Sequence, residues 1–170
     1  MVRGSGRQRK KKKSQKILIY PQLKVMKRKN YGGIRAGALK QHVYKLSQEI
    51  GDRSFYAYEK LMQAQEYIRK SFLSYGYKVL LDGYDIEGRE FNNIAVTKKG
   101  EDRPDEIVIL GAHYDSCSNP GADDNASGVA VLLELAKSFS GLNCRKTVKF
   151  IAFVNEEPPF FHTENMGSKV

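Results

Sequence analysis

Apolar residues recur at intervals of three or four along two segments of the chain, which is the spacing of one helix face. The first segment ends at Gly51, and the second runs from a candidate N-cap at Ser54 to Gly76. We therefore predict two amphipathic helices whose apolar faces contact a core. These faces consist of Leu39, Val43, Leu46 and Ile50 in the first helix and of Tyr58, Leu61, Ala64, Ile68 and Phe72 in the second.

After the second predicted helix, the pattern changes to that of β-strands. Residues 77–84 and 91–97 predict two strands of a hairpin around the turn Glu87-Gly88. Residues 106–112 contain an unbroken apolar run, which is typical of a strand buried on both faces.

A helix and a further strand follow. Residues 129–139 are rich in Val, Leu and Ala and predict a helix, and residues 147–154 predict a second buried strand. Strand, helix and strand in this order indicate a parallel βαβ unit, so we assign the chain to the α/β class. Ligands of such sheets bind at the carboxyl ends of the strands.

The positive charge of the chain is concentrated near its N-terminus. The formal net charge is +10, but 12 of the 29 Lys and Arg residues lie in residues 1–29, which contain no Asp or Glu. We predict a disordered basic tail over residues 1–30 and one nearly neutral domain over residues 31–170. Contact of the tail with nucleic-acid phosphates is an alternative, but the favoured interpretation is a solvated extension, because no aromatic residue is interleaved in its lysine run for base stacking.

The sequence shows no signal for export or for membrane insertion. The apolar run of residues 17–20 is too short for a signal peptide, and no segment has the length needed to span a bilayer. We therefore expect a cytoplasmic location. Cys117 and Cys144 are the only cysteines, too few for a disulfide framework, and we favour buried, unreactive thiols over a metal-ligand role for Cys117.

Candidate metal chemistry begins at the end of the first buried strand. His113 and Asp115 are two residues apart in an extended segment, so their side chains project to one side. One can then bind a metal while the other orients the imidazole. A structural hydrogen-bonded pair is the alternative interpretation.

Two pairs of adjacent acidic residues follow other predicted elements. Asp123 and Asp124 precede the predicted helix, where they can serve as first-turn charges or as metal ligands. Glu156 and Glu157 directly follow the second buried strand, and two carboxylates in such a place repel each other unless a cation or a proton intervenes. An exposed acidic turn is the alternative for the second pair. Together with His113, the two pairs predict a metal site.

These segments resemble the three motif blocks of the zinc aminopeptidases of metallopeptidase family 28 (clan MH). The blocks are Gly111-Ala112-His113-Tyr114-Asp115-Ser116, residues 120–128, and Asn155-Glu156-Glu157. The resemblance covers roughly residues 39–170. It implies a three-layer αβα fold of the zinc-exopeptidase type, with a mixed, mostly parallel sheet.

The resemblance also implies a role for each candidate residue. His113 binds one zinc ion, and Asp115 orients the imidazole ring of His113. Asp123 bridges two zinc ions and forms a cis peptide bond with Asp124. Glu157 binds the second zinc ion. Glu156 is the general base that takes a proton from the attacking water. The implied substrate is a peptide with a free N-terminus.

Compared with the family pattern, two metal ligands are expected beyond position 170, so the resemblance implies a C-terminally incomplete domain. We expect this chain to bind zinc weakly and to hydrolyse aminoacyl anilides slowly or not at all. A carboxypeptidase, a glutaminyl-cyclase-like enzyme and an inactive binding remnant of the same fold are the alternatives. The sequence predicts no oligomeric state.

Overall fold

The structure, a computed structural model, describes residues 33–170. The predicted basic tail over residues 1–30 lies outside this range. The described chain contains three α-helices and four strands, which we number in chain order. They are α1 (Ala36–Tyr44), α2 (Tyr58–Ser74), β1 (Leu80–Ile86), β2 (Arg89–Lys98), β3 (Gly100–His113), α3 (Gly128–Ser140) and β4 (Cys144–Phe153).

Both predicted amphipathic helices are present, and their glycine stops are confirmed. A wider helical turn, Lys45–Ile50, extends α1 to Gly51, which has a φ of 85°. The α2 helix ends before Gly76, which also has a φ of 85°. The predicted side-chain cap at Ser54 is wrong, because the Ser54 hydroxyl donates to the Asp52 carboxylate and makes no capping hydrogen bond.

The four strands form one mixed sheet in the order β1-β2-β4-β3. The predicted hairpin is confirmed, since β1 and β2 pair antiparallel around Glu87 and Gly88, which both have positive φ. The predicted parallel pairing is also confirmed between β3 and β4, with α3 between them in the chain. However, β2 pairs antiparallel with β4, so the sheet is not mostly parallel within residues 33–170.

The prediction that residues 106–112 are covered on both faces is wrong. β3 is an edge strand, and Ile107, Val108 and Ile109 are 51%, 43% and 59% exposed. A continuous apolar run is usual for a central parallel strand. Within residues 33–170 the run has β4 on only one side, so these three apolar residues of β3 face solvent there.

The core lies between the sheet and a helical layer. α1 and α2 each contact α3, and α3 packs on β3 and β4. Phe150 of β4 is fully buried and stacks edge-on against Phe139 of α3, with 5.6 Å between ring centroids. Along the opposite face of β4, Lys149, Ile151 and Phe153 are only half-buried. The second helical layer of the predicted three-layer fold is not seen among residues 33–170.

No helix in this described range is long and apolar enough to cross a membrane.

A buried histidine joins the three helices. Nδ1 of His42 in α1 lies 2.6 Å from the hydroxyl of Tyr67 in α2, and Nε2 lies 3.3 Å from the carboxylate of Glu134 in α3. Burial lowers the pKa of His42, and the charge of Lys137 adds to this lowering. The contact with Glu134 raises the pKa but does not outweigh these effects, so the pKa of His42 is lowered overall. His42 therefore resists protonation in the folded state.

We expect the free energy of unfolding to fall as the pH is lowered through about 6.5, the pKa of an unfolded histidine. Below that pH the unfolded chain binds a proton at residue 42 more readily than the folded chain does. The loss is on the order of 1.4 kcal/mol for each unit of lowered pKa. Urea titrations at pH 7.5 and 5.5 measure it. His42→Gln is the control, because subtracting its pH dependence removes contributions from other groups; equal dependence in both proteins contradicts the prediction.

Candidate metal centre

The two predicted site segments meet at one end of the sheet. His113 is the last residue of β3 and pairs in register with Phe153, the last residue of β4. The Tyr114 amide donates to the carbonyl of Phe153, which holds the two strand ends together. Because β3 and β4 are parallel, the loops that follow both strands lie at the same edge, as the sequence predicts.

Three side chains converge at this edge. Nε2 of His113 lies 2.9 Å from Oδ1 of Asp124 and 4.0 Å from Oε1 of Glu157. One ligand atom from each of the three lies within 4.8 Å of the others. The side chains of His113 and Glu157 are largely buried, whereas that of Asp124 is 74% exposed. The group therefore opens to solvent on the Asp124 side.

Asp115 lies behind the imidazole. Its Oδ1 atom is 3.3 Å from Nδ1 of His113, and its Oδ2 atom accepts a hydrogen bond of 2.9 Å from the Glu157 amide. Asp115 and His113 are brought together on one side of the extended segment, as predicted. The same carboxylate thus contacts both the imidazole of His113 and the backbone of Glu157.

The structure does not bring Asp123 into this group. The carboxylate beside His113 belongs to Asp124, while the Asp123 side chain is exposed outside the cluster. The non-proline cis peptide bond also lies one residue later than predicted, between Asp124 and Asn125. Asp124 takes the place predicted for Asp123 because the backbone is irregular here. With φ −111° and ψ 94°, Asp124 is extended within a helical turn, and this directs its side chain toward β3.

The other members of the acidic segment serve the helix start. Oδ1 of Asn125 accepts a hydrogen bond from the Gly128 amide, and the Ser127 hydroxyl donates to the Asp123 carbonyl. The Asn125 side chain thus satisfies the amide of Gly128, the first residue of α3, and links the residue after Asp124 to the start of that helix.

Glu156 lies next to the cluster in sequence but not in it. Its two carboxylate oxygens accept hydrogen bonds from the Ser168 amide, at 2.6 Å, and from the Ser168 hydroxyl, at 2.9 Å. Sequence reasoning did not single out Ser168. Its contact is twelve residues away in the chain, and no local spacing rule indicates it.

The charges of the cluster change the proton affinities of its members. Burial lowers the pKa of His113, but the carboxylates of Asp115 and Asp124 outweigh it and raise that pKa to about 9. Burial and the nearby charge of Asp124 raise the pKa of Glu157, against the opposing effect of His113. The site therefore concentrates negative charge that a cation would neutralise.

The donor set fits a zinc ion. Zinc binds histidine nitrogen and carboxylate oxygen, and a ligating histidine commonly turns its other ring nitrogen to a carboxylate. Nδ1 of His113 and Oδ1 of Asp115 are both buried, lie 3.3 Å apart and have no hydrogen-bond partner within residues 33–170. Facing each other, they match that arrangement. Cys117 is not part of the described cluster.

Comparisons with known proteins relate part of the chain to a peptidase family. Residues 93–168 match the model of peptidase family M28. The chain is 40% identical over 141 residues to the uncharacterized protein YfbL of Escherichia coli, covering 78% of this chain and 43% of YfbL. Residues 93–168 therefore belong to peptidase family M28. The chain is also 42% identical over 67 residues to the aminopeptidase YwaD of Bacillus subtilis, covering 39% of this chain and 15% of YwaD.

Solved structures with the same fold include enzymes of two kinds. A zinc aminopeptidase from Bacillus subtilis superposes with a TM-score of 0.62 at 17% identity, over 72% of this chain and 62% of that one. A glutaminyl cyclase from Bacteroides thetaiotaomicron superposes with a TM-score of 0.64 at 23% identity, over 79% and 54%. The chain thus has the α/β fold that the sequence predicted, and it spans less than half the length of the curated relatives it matches.

Proposed function

We propose that this chain carries the metal-binding centre of a zinc-dependent aminopeptidase. The convergence of His113, Asp124 and Glu157 within 4.8 Å is the observation that carries the proposal. A catalytic zinc usually has three protein ligands drawn from such nitrogen and oxygen donors. Membership of a peptidase family supports the reaction class.

In this proposal, His113 would hold zinc through Nε2, and Asp124 and Glu157 would hold it through their carboxylates. Glu157 is thereby assigned to the same ion as His113 and not to a second ion, as the sequence resemblance implied. Asp115 fixes the ring of His113 from the Nδ1 side, where the two atoms are 3.3 Å apart. Asp124 has two carboxylate oxygens, so it can also serve a second ion, and this replaces the bridging role predicted for Asp123. Bound zinc supplies a Lewis acid and lowers the pKa of an attacking water to about 7.

Glu156 is the general base of the proposed reaction. Its carboxylate takes a proton from the water that attacks the scissile carbonyl and later gives that proton to the departing amine. The two hydrogen bonds from Ser168 hold the Glu156 carboxylate in one orientation. Ser168 therefore limits the positions from which Glu156 can reach the water.

The substrate that we propose is a peptide with a free N-terminus. The fold does not choose between peptide hydrolysis and glutaminyl cyclisation, because solved enzymes of both kinds share it. The sequence similarity favours peptide hydrolysis, since YwaD is named an aminopeptidase. A cytoplasmic location and a solvated basic tail remain sequence predictions.

Glu156→Gln is expected to lower the turnover of leucine p-nitroanilide by about 100-fold or more, because the amide cannot accept the proton of water. The zinc affinity should stay close to that of the unaltered protein. The turnover rate of the unaltered protein, even if it is low, is the reference for the kinetic comparison. Steady-state kinetics and a zinc titration test both parts. Equal turnover in the two proteins would contradict Glu156 as the base. Cyclisation of an N-terminal glutamine peptide, without anilide hydrolysis, would contradict the peptidase assignment.

A further inference from the structure

Arg53 is the largest side chain that is completely buried in the described chain. It lies between the turn after α1 and the start of α2. Its guanidinium donates only to backbone carbonyl oxygens and forms no ion pair within 4.0 Å in residues 33–170. A buried charge without a carboxylate partner is costly, so its hydrogen bonds must be well made.

The acceptors lie at both ends of one loop. Nε of Arg53 donates to the Tyr114 carbonyl at 2.8 Å, directly after His113. Nη1 donates to the Pro120 carbonyl at 2.7 Å and Nη2 to the Gly121 carbonyl at 3.1 Å, shortly before Asp124. One rigid guanidinium therefore ties together the two ends of the loop that separates His113 from Asp124.

The same loop is fastened to the backbone of Arg53. The Arg53 amide donates to the Ser116 hydroxyl at 2.9 Å, and the Ser116 amide donates to the Arg53 carbonyl at 3.3 Å. Packing around the guanidinium is close, since a Cβ atom at Gly121 would lie 2.8 Å from Nη2. Gly121 has a φ of 52°, which also disfavours a side chain there.

The remaining acceptors hold the guanidinium itself in place. Nη1 also donates to the carbonyls of Leu46, at 2.9 Å, and Gly51, at 2.8 Å, in the turn that ends the first helix. Arg53 thus connects the helical layer to the loop of the metal centre. Lysine keeps the charge, but its single nitrogen cannot reach carbonyls on both sides as a planar fork does.

We infer that Arg53 is a positioning residue that sets the separation of His113 and Asp124 for metal binding. The inference rests on the proposed zinc centre. Arg53 contacts no ligand atom, and it acts through Tyr114, Pro120 and Gly121. A residue that only stabilised the fold would lower the stability without changing the zinc affinity of the molecules that remain folded.

Zinc titration calorimetry on Arg53→Lys tests this inference. We expect a loss of zinc affinity of about 10- to 100-fold, as is typical when a group that orients metal ligands is altered. The matched control is Ile68→Ala, which removes a fully buried side chain of α2 and should leave the affinity nearly unchanged. Cobalt(II) provides a second readout, because its visible absorption reports ligand geometry. The Co²⁺ spectrum should change in Arg53→Lys and not in Ile68→Ala.

Equal zinc affinity in folded Arg53→Lys and the unaltered protein would overturn the inference. If Arg53→Lys does not fold, Ser116→Ala replaces it, because that change removes the hydroxyl that accepts from the Arg53 amide and donates to the Asn119 carbonyl, and it keeps the guanidinium. A loss of affinity in Ser116→Ala supports the inference, and an unchanged affinity overturns it.

A failure of the zinc proposal would be recognised separately. If the unaltered protein binds no zinc, the proposed function fails, and hydrogen exchange of the metal-free proteins then decides the role of Arg53. Faster exchange confined to the amides of residues 114–126 in the chosen Arg53 or Ser116 variant supports positioning of the loop. Uniformly faster exchange across α2 and β4 as well would reduce Arg53 to a contributor to global stability and overturn the inference.

Discussion

Asp124→Ala is expected to weaken zinc binding by at least about 100-fold, whereas Asp123→Ala should leave the dissociation constant almost unchanged. The two substitutions remove the same charge from adjacent positions. Only Asp124 places a carboxylate oxygen 2.9 Å from Nε2 of His113. The difference therefore reports direct ligation and not the general loss of negative charge, and isothermal titration with zinc measures it.

Equal weakening by both substitutions would show that the acidic segment acts only through its charge. Stronger weakening by Asp123→Ala would restore the role that the sequence resemblance assigned to Asp123. Each variant should first be shown to keep its fold by circular dichroism. Neither carboxylate is buried in the core, so neither change is expected to unfold the protein.

Phe150→Ala is expected to reduce the free energy of unfolding by about 3–5 kcal/mol, the usual cost of truncating a fully buried phenylalanine. Phe150 lies in β4, between β2 and β3, and its ring contacts those of Tyr77 and Phe139. The change leaves a cavity where the sheet meets α3. Urea unfolding monitored by circular dichroism measures the loss.

Phe161→Ala is the matched control, because that ring is 56% exposed. A surface substitution of this kind usually changes the stability by less than about 0.5 kcal/mol. If the two variants unfolded at the same urea concentration, the central position of Phe150 between sheet and helix would be contradicted.

The helices and the hairpin could be predicted because their signals are local. Leu61, Ala64, Ile68 and Phe72 are all fully buried along α2, as their spacing indicated. The turn at Glu87 and Gly88 joins strands that pair residue by residue. Periodicity and turn chemistry are properties of neighbouring residues, so one sequence is enough to find them.

The position of a strand within the sheet is not a local property. The apolar run in β3 predicted a central strand, yet Ile109 is more than half exposed on the sheet edge. The composition of a strand indicates which surfaces favour burial. It does not identify the residues that cover them, and in residues 33–170 only β4 pairs with β3.

The candidate site was predictable in its location but not in every member. His113 ends β3 and Glu157 follows β4, and because these strands are parallel, that placement alone brings the two residues to one edge. The choice between Asp123 and Asp124 depends on backbone angles at one irregular turn, which spacing does not reveal. Arg53 gave no signal in the sequence, because its acceptors are carbonyls that every residue possesses.

Anomalous X-ray diffraction at the zinc absorption edge, from crystals grown with zinc, would locate the metal ion itself. We expect an anomalous peak in contact with Nε2 of His113 and with the carboxylates of Asp124 and Glu157, and its disappearance in His113→Ala crystals. A second peak on the other oxygen of Asp124 would support a two-ion centre. Strong peaks only elsewhere, or none at a zinc concentration that saturates the protein in solution, would contradict the assignment of this cluster as a zinc centre.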